Sequence, residues 1–237
     1  LFPYTTLFRS RKMKKTNCLI FIIVLLAFVI LFTDVFADVP AFPGAEGFGA
    51  TTVGGRGGTV IKVTNTNDSG TGSFRAAVED SSGARIVVFT TGGTISLSSS
   101  ITIDNPYITI AGQTAPGGGI CLKDGGSGQT LLIETHDVIV RCLRIRPGSS
   151  DSTAARDGVF IDGGYNIIFD HCSFSWGVDE TFTASYESHD ITVQWSICSQ
   201  ALRDAGHSKG WHSMGMMFGS YIGNPTEKIS CHHNYFA

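Results

Sequence analysis

Three acidic residues pose the chemical question. Asp157 stands just before a short apolar strand, VFI, and Asp179 and Glu180 follow a second one, IIF, with Asp170, His171 and Cys172 in between. Carboxylates far apart in a chain but at the same edge of stacked strands suit a hard cation such as Ca²⁺, which takes several oxygen ligands. The plain alternative for any single Asp in a glycine-rich turn is a solvated turn residue. Downstream, the stretch GHSKGWH supplies Lys209 and His212, with Arg203 and His207 nearby, and these could line a groove for a polyanion. Asp170 follows strand residue Phe169 and is expected to bond backbone in a bend. His171 shares a repeat column with Cys142, Trp195 and His233 and is expected to pack structurally, and Trp211, a lone tryptophan, is expected in the core.

Carboxylates so spaced need a scaffold that returns the chain to the same place. Five segments share one template, an apolar-x-apolar strand, a short bend and a further apolar residue: ITIAGQTA from Ile108, VIVRCLRI from Val138, IIFDHCSF from Ile167, ITVQWSIC from Ile191 and ISCHHNYF from Ile229. Their starts lie 30, 29, 24 and 38 residues apart. Each follows a polar turn, such as His136-Asp137 or Ser188-His189-Asp190, and four have a companion strand upstream: ITI from Ile101, LLI from Leu131, VFI from Val159 and a weaker FTA from Phe182. Repetition at this period means stacked units, none of which buries its own apolar face. Short strands without intervening helices predict an all-β chain, a parallel β-helix, whereas a propeller or sandwich would show regular hairpin turns. One short helix is expected near the start, capped by Ser73, with Phe74, Ala77 and Val78 on its buried face.

The N-terminal region reads differently. Residues 1–12, including LFPYTTLFRS, resemble a translated sequencing adapter and leader. Residues 13–37 read as a secretory signal peptide, with Lys14 and Lys15, an apolar run of 14 residues from Leu19 to Phe32, and Val35-Phe36-Ala37 as cleavage site. Fourteen residues fall short of the roughly 20 that span a bilayer. Removing residues 1–37 takes away five basic residues and one acid, so 17 basic and 20 acidic residues become 12 and 19 and the net charge moves from −3 to −7. That balance argues against nucleic acid as a partner, and an acidic protein acting on an acidic polymer needs cations between them. The five cysteines after the leader, irregularly spaced beside apolar strands, are expected as buried free thiols.

The segments AFPGAEGFGATTVGGRGGTVIKVTNTNDSGTGSFRAAV, GGTISL, ITIAGQTAPGGGI, IIFDHCSFSWGVDE and the closing HHNYF together resemble the pectate lyases of polysaccharide lyase family 1, over nearly all of residues 38–237. The resemblance implies a right-handed parallel β-helix, secreted and monomeric, that cleaves polygalacturonate, an acidic plant polysaccharide, by β-elimination. It implies Ca²⁺ as cofactor, held by Asp157 and Asp179, with Glu180 as a further candidate, although its side chain would face away if the strand has begun by then. It implies an arginine as the base that removes the C5 proton. Two positions depart from the family pattern: Thr183 stands where a third acid is expected, and Met214 where a substrate-binding lysine is expected, leaving Lys209 and His212 as candidate substrate contacts. The arginine is expected after HHNYF, so residues 38–237 are expected to be a domain incomplete at its C-terminus, and inactive alone. A non-catalytic polysaccharide-binding β-helix is the main alternative, and a glycoside hydrolase with paired carboxylates a third reading.

Overall fold

The apolar residues that open each repeat stack directly on one another. In a computed structural model, which describes residues 39–126, 128–148, 156–219 and 224–237, Ile108 pairs with Val138, Val138 with Ile167, Ile167 with Ile191 and Ile191 with Ile229. The chain divides into two units, Leu1–Val39 and Pro40–Ala237. The leader reading and Cys18 lie outside the described residues.

The second unit opens with β1 (Thr59–Val63) and α1 (Phe74–Val78), then β2 (Arg85–Phe89), β3 (Gly93–Leu97) and β4 (Ile101–Ile103). Successive coils follow: β5 (Ile108–Ala111), β6 (Ile120–Asp124) and β7 (Leu131–Ile133); β8 (His136–Arg141), β9 (Leu143–Arg146) and β10 (Val159–Asp162); β11 (Tyr165–Asp170), β12 (Ser173–Ser175) and β13 (Glu180–Ser185). Last come β14 (His189–Gln194), β15 (Ile197–Ser199), β16 (Met214–Phe218), β17 (Glu227–His232) and β18 (Tyr235–Phe236). Three parallel sheets result. One runs β1-β2-β5-β8-β11-β14-β17, another β3-β6-β9-β12-β15-β18 and the third β4-β7-β10-β13-β16. The architecture is a right-handed parallel β-helix with one short N-terminal helix.

Period-2 alternation explains the inside. Residues such as Ile101, Leu131, Val159 and Phe182 point inward and are fully buried, each stabilising the fold by about 1.5–3 kcal/mol before ordering costs. Phe169, Phe174 and Phe182 meet edge to face with centroids 5.8, 5.1 and 5.3 Å apart. Phe182 lies two residues beyond Glu180, so this aromatic packing holds the strand that carries the acidic groups. Ser73 caps α1 as expected, its Oγ accepting the Ala76 N–H at 3.2 Å.

Corners are made by left-handed residues. Tyr107, Asp137, Asn166, Asp190 and Lys228, with φ between 52 and 61°, each stand immediately before the stacked Ile or Val. Cys142, His171, Trp195 and His233, with φ of 56, 53, 50 and 54°, make the next corner. Such backbone is costly for non-glycine residues, but here the ladder continues through the bend: Cys142 N–H donates to Asp170 O at 3.0 Å, and His171 N–H to Gln194 O at 3.3 Å. The His171 column does pack, with Trp195 stacked on His233 at 4.2 Å.

Asp170 is structural, as expected, but it bonds side chains more than backbone. Its carboxylate accepts from Arg141 Nε at 2.8 Å and from Gln194 Nε2 at 2.7 Å. Gln194 in turn donates to Gly44 O at 3.0 Å and accepts the Glu46 N–H at 3.0 Å, tying the N-terminal segment across the outside of the first sheet. Gly49 in that segment lies so close that a Cβ would stand 2.3 Å from Ile167 O.

Three expectations are corrected. Of the described cysteines, all free, Cys121, Cys172 and Cys198 are buried, but Cys142 is half-buried and Cys231 is exposed. Trp211 is 70 % exposed, with the Arg203 guanidinium 4.1 Å over its ring. The fifth repeat also has a companion strand, β16, which the glycine and methionines of MGMMF conceal in the sequence. Among the described residues no helix is long and apolar enough to cross a membrane.

Candidate metal and substrate groove

The third sheet positions the acidic groups. Asp157 precedes β10 by two residues, Asp179 directly precedes β13, Glu180 begins β13, and His212 precedes β16 by two residues. Because β10, β13 and β16 are parallel and adjacent, their N-terminal ends stack on one edge. Backbone bonds lock the stack: Gly158 N–H donates to Glu180 O at 3.2 Å and Met214 N–H to Asp179 O at 2.9 Å. Asp157 Oδ1 accepts the Glu180 N–H at 3.1 Å.

One groove of about 530 Å³ is lined by Asp157, Asp179, Glu180, Lys209 and His212, which brings together the metal and substrate candidates named from the sequence, while His207 and Arg203, also suggested there, are not among its walls. Its remaining walls include Phe160, Thr183, Tyr186, Met214 and Met217. The two departures from the family pattern thus face the same space. Thr183 is 1 % exposed, and its side chain acts on the Asp157 carboxyl as a hydrogen-bond partner. Met214 lies in register with Glu180. Contrary to the facing argument from the sequence, Glu180 turns into the groove, because the chain bends at Val178 and Asp179 immediately before β13 begins.

Electrostatics are unfavourable without a counter-charge. Ligating oxygens of Asp157, Asp179 and Glu180 all lie within 4.8 Å of one another. Burial pushes the Asp157 carboxyl up to about 7, with the Glu180 and Asp179 charges adding to the effect against hydrogen bonds from the Glu180 N–H and the Thr183 side chain. Glu180 is raised by burial and then by Asp179, while a side-chain hydrogen bond with Asp157, then His212 and Lys209, oppose the shift. Like charges gathered in a half-buried groove favour protonation or a bound cation. Asp179 is met by imidazole on both oxygens, Oδ1 by His212 Nε2 at 2.5 Å and Oδ2 by His207 Nε2 at 3.4 Å. The donor set therefore fits a divalent ion: three carboxylates from adjacent coils, each offering an oxygen to one small space.

Sequence reasoning underrated the histidines. His207, only 6 % exposed, stacks on His212 at 4.4 Å, and both turn Nε2 toward Asp179, at 3.4 and 2.5 Å. The short spacing His-x₄-His in a loop before a strand was the available signal. Among the described residues lining the groove there is no arginine.

No family model matches the chain. It is 49% identical over 170 residues to probable pectate lyase C of Emericella nidulans, covering 72% of this chain and 38% of that protein. The corresponding protein of Aspergillus fumigatus is 47% identical over 186 residues, 78% of this chain and 42% of that protein. Pectate lyase 5 of Ambrosia artemisiifolia is 26% identical over 221 residues, 81% of this chain and 54% of that protein. The chain thus spans about two fifths of the length of its fungal relatives. Among solved structures, jun a 1, the major allergen from cedar pollen, matches with a TM-score of 0.62 at 21% identity, covering 81% of this chain and 57% of that one. That likeness concerns the fold alone.

Proposed function

The chain belongs to the pectate lyases of polysaccharide lyase family 1, and from this we propose that its protein cleaves polygalacturonate by Ca²⁺-assisted β-elimination outside the cell. The observation that carries the proposal is the convergence of Asp157, Asp179 and Glu180 from adjacent coils onto one open groove. The leader pattern in residues 13–37 supports secretion.

Asp157, Asp179 and Glu180 would hold Ca²⁺. Bound there, the ion would supply charge neutralisation for the uronate carboxylate, which makes the neighbouring C5 proton easier to remove. The chain's own residues do the rest of the positioning. Lys209 offers a positive charge at the groove for a further uronate, and His212 offers a hydrogen-bonding ring beside Asp179. Phe160, Tyr186, Met214 and Met217 give an apolar wall suited to the carbon face of a sugar. Loss of the C5 proton to a base and departure of the C4 oxygen with its electron pair would leave a double bond between C4 and C5. The base is not assigned to any groove residue.

Thr183 and Met214 favour a second reading, a β-helix that binds the polymer without cutting it, because each removes a charge that the family pattern places in the groove. Ultraviolet absorbance of an unsaturated uronide, followed with the whole protein on polygalacturonate with Ca²⁺ and with chelator, separates the two. Chelator-sensitive absorbance growth supports the lyase. Retention on the polymer with no absorbance change supports the binding protein, and neither outcome rejects both.

A further inference from the structure

The outer face of the second sheet gathers positive charge in an otherwise acidic chain, whose residues 38–237 sum to −7. In β6 and β9 the apolar residues Ile120, Leu122, Leu143 and Ile145 point inward and are buried. Period-2 alternation therefore turns Lys123, Arg144 and Arg146 outward. Lys123 is in register with Arg146 on the neighbouring strand, and Arg144 stands two residues before Arg146. Adjacent strands lie about 4.8 Å apart and alternate residues of one strand roughly 6.6 Å apart, so three cations share one small area.

Among the described residues no carboxylate neutralises them. Arg146 donates to Ile145 O at 2.9 Å, to Ser173 O at 2.6 Å and to Ser173 Oγ at 2.7 Å, all uncharged acceptors. Arg144 reaches Gly119 O at 3.5 Å, and its Nε is buried without a hydrogen-bond partner. Lys123 is exposed, and its sequence neighbour Asp124 is turned to Arg156, 2.7 Å away. Burial lowers the Arg146 pKa and the Arg144 charge lowers it further, against an opposing pull from Cys121. Like charges held together in this way fit a surface that an anion completes.

An aromatic ring borders the cations. Trp176 directly follows β12, the next strand of the same sheet; it is 42 % exposed, and its ring centroid lies 5.7 Å from the Arg146 guanidinium. Its Nε1–H donates to Gln200 Oε1 at 3.2 Å, which holds the ring in one orientation. An exposed indole suits the carbon face of a sugar ring, and guanidinium suits a carboxylate. We propose that Lys123, Arg144, Arg146 and Trp176 form a second binding surface for a uronic-acid polysaccharide, separate from the groove and independent of divalent ions. The groove on the third sheet gathers acidic groups and needs a cation to hold an anionic polymer, whereas this surface supplies its own charge. The inference takes its polymer from the reading proposed above and adds a site to it.

The test measures equilibrium binding of the full chain to polygalacturonate in chelator at low ionic strength, where the groove has no bridging ion. The expected result is saturable binding that weakens with added salt and is absent on neutral galactan. It should fall about tenfold or more in Lys123→Gln/Arg144→Gln and stay within about twofold in Asp157→Asn/Asp179→Asn. If the first double variant folds poorly, Lys123→Gln alone, at an exposed position, should still weaken binding by about threefold. No binding in chelator, or binding left unchanged by the Lys123 and Arg144 substitutions, overturns the inference; Ca²⁺-dependent binding that persists then leaves the groove proposal standing. Absence of binding with and without Ca²⁺ overturns both.

Discussion

Asp157 Oδ1 accepts the backbone N–H of Glu180 across 3.1 Å, linking a residue before β10 to the first residue of the strand stacked on it. The bond sets one carboxylate in place by the same ladder that builds the sheet. It fixes where Glu180 begins, and the side chains of Thr183 and Glu180 bond the same carboxyl group. Site and scaffold are therefore coupled through a single rung, and changes at either are read at the other.

The first consequence is a pH dependence. Asp157 titrates at about 7 in the folded chain against an ordinary 3.8. The folded state then binds more protons than the unfolded state between those values, so this group's contribution is full below about pH 4 and is lost as pH rises to about 7. Chelator-treated protein should show a falling Tm over that window. Added divalent ion should restore it, with a larger increment at pH 8 than at pH 5, because the proton must leave before the ion binds. Differential scanning calorimetry at the two pH values checks this.

Thr183→Asp restores the missing acid in a buried position. Without a cation, Tm should drop, since a further like charge enters the groove. With Ca²⁺ present, affinity should rise by about tenfold, or ~1.4 kcal/mol. Calorimetric titration and thermal unfolding with and without Ca²⁺ measure both arms.

Asp170→Ala should destabilise without touching the groove. It strands the Arg141 guanidinium and Gln194 amide that now bond Asp170 and hold the N-terminal segment. Removing one partner of a buried pair costs about 3 kcal/mol. Urea unfolding should show that loss, while divalent-ion affinity should stay within about twofold.

Met214→Lys places a positive charge beside Glu180, in register on the neighbouring strand. Retention on immobilised polygalacturonate in the presence of divalent ion should increase and become more sensitive to salt. Affinity chromatography over a salt gradient reads this directly.

Much of this was legible in the chain because a β-helix repeats its own pattern. The Ile108, Val138, Ile167, Ile191 and Ile229 column could be seen without coordinates, and so could the placement of Asp157 and Asp179 before stacked strands. Glu180 was harder. Its facing depends on where the bend after Trp176 ends, and a one-residue difference reverses a side chain. His207 and Trp211 lie in the connection between β15 and β16, where no periodicity constrains position. There a histidine became buried by stacking on another, and a tryptophan stayed outside under Arg203. Strand β16 hid because MGMMF lacks the β-branched residues that announce a strand.

The account stands or falls on whether Asp157, Asp179 and Glu180 together hold a divalent ion. Calorimetric titration of divalent ion into metal-free chain, unaltered and as the Asp157→Asn/Asp179→Asn double variant, measures that most directly. Saturable binding in the unaltered chain that falls at least a hundredfold in a folded double variant is the predicted result. Equal binding by both forms, or none by the unaltered chain, would contradict it.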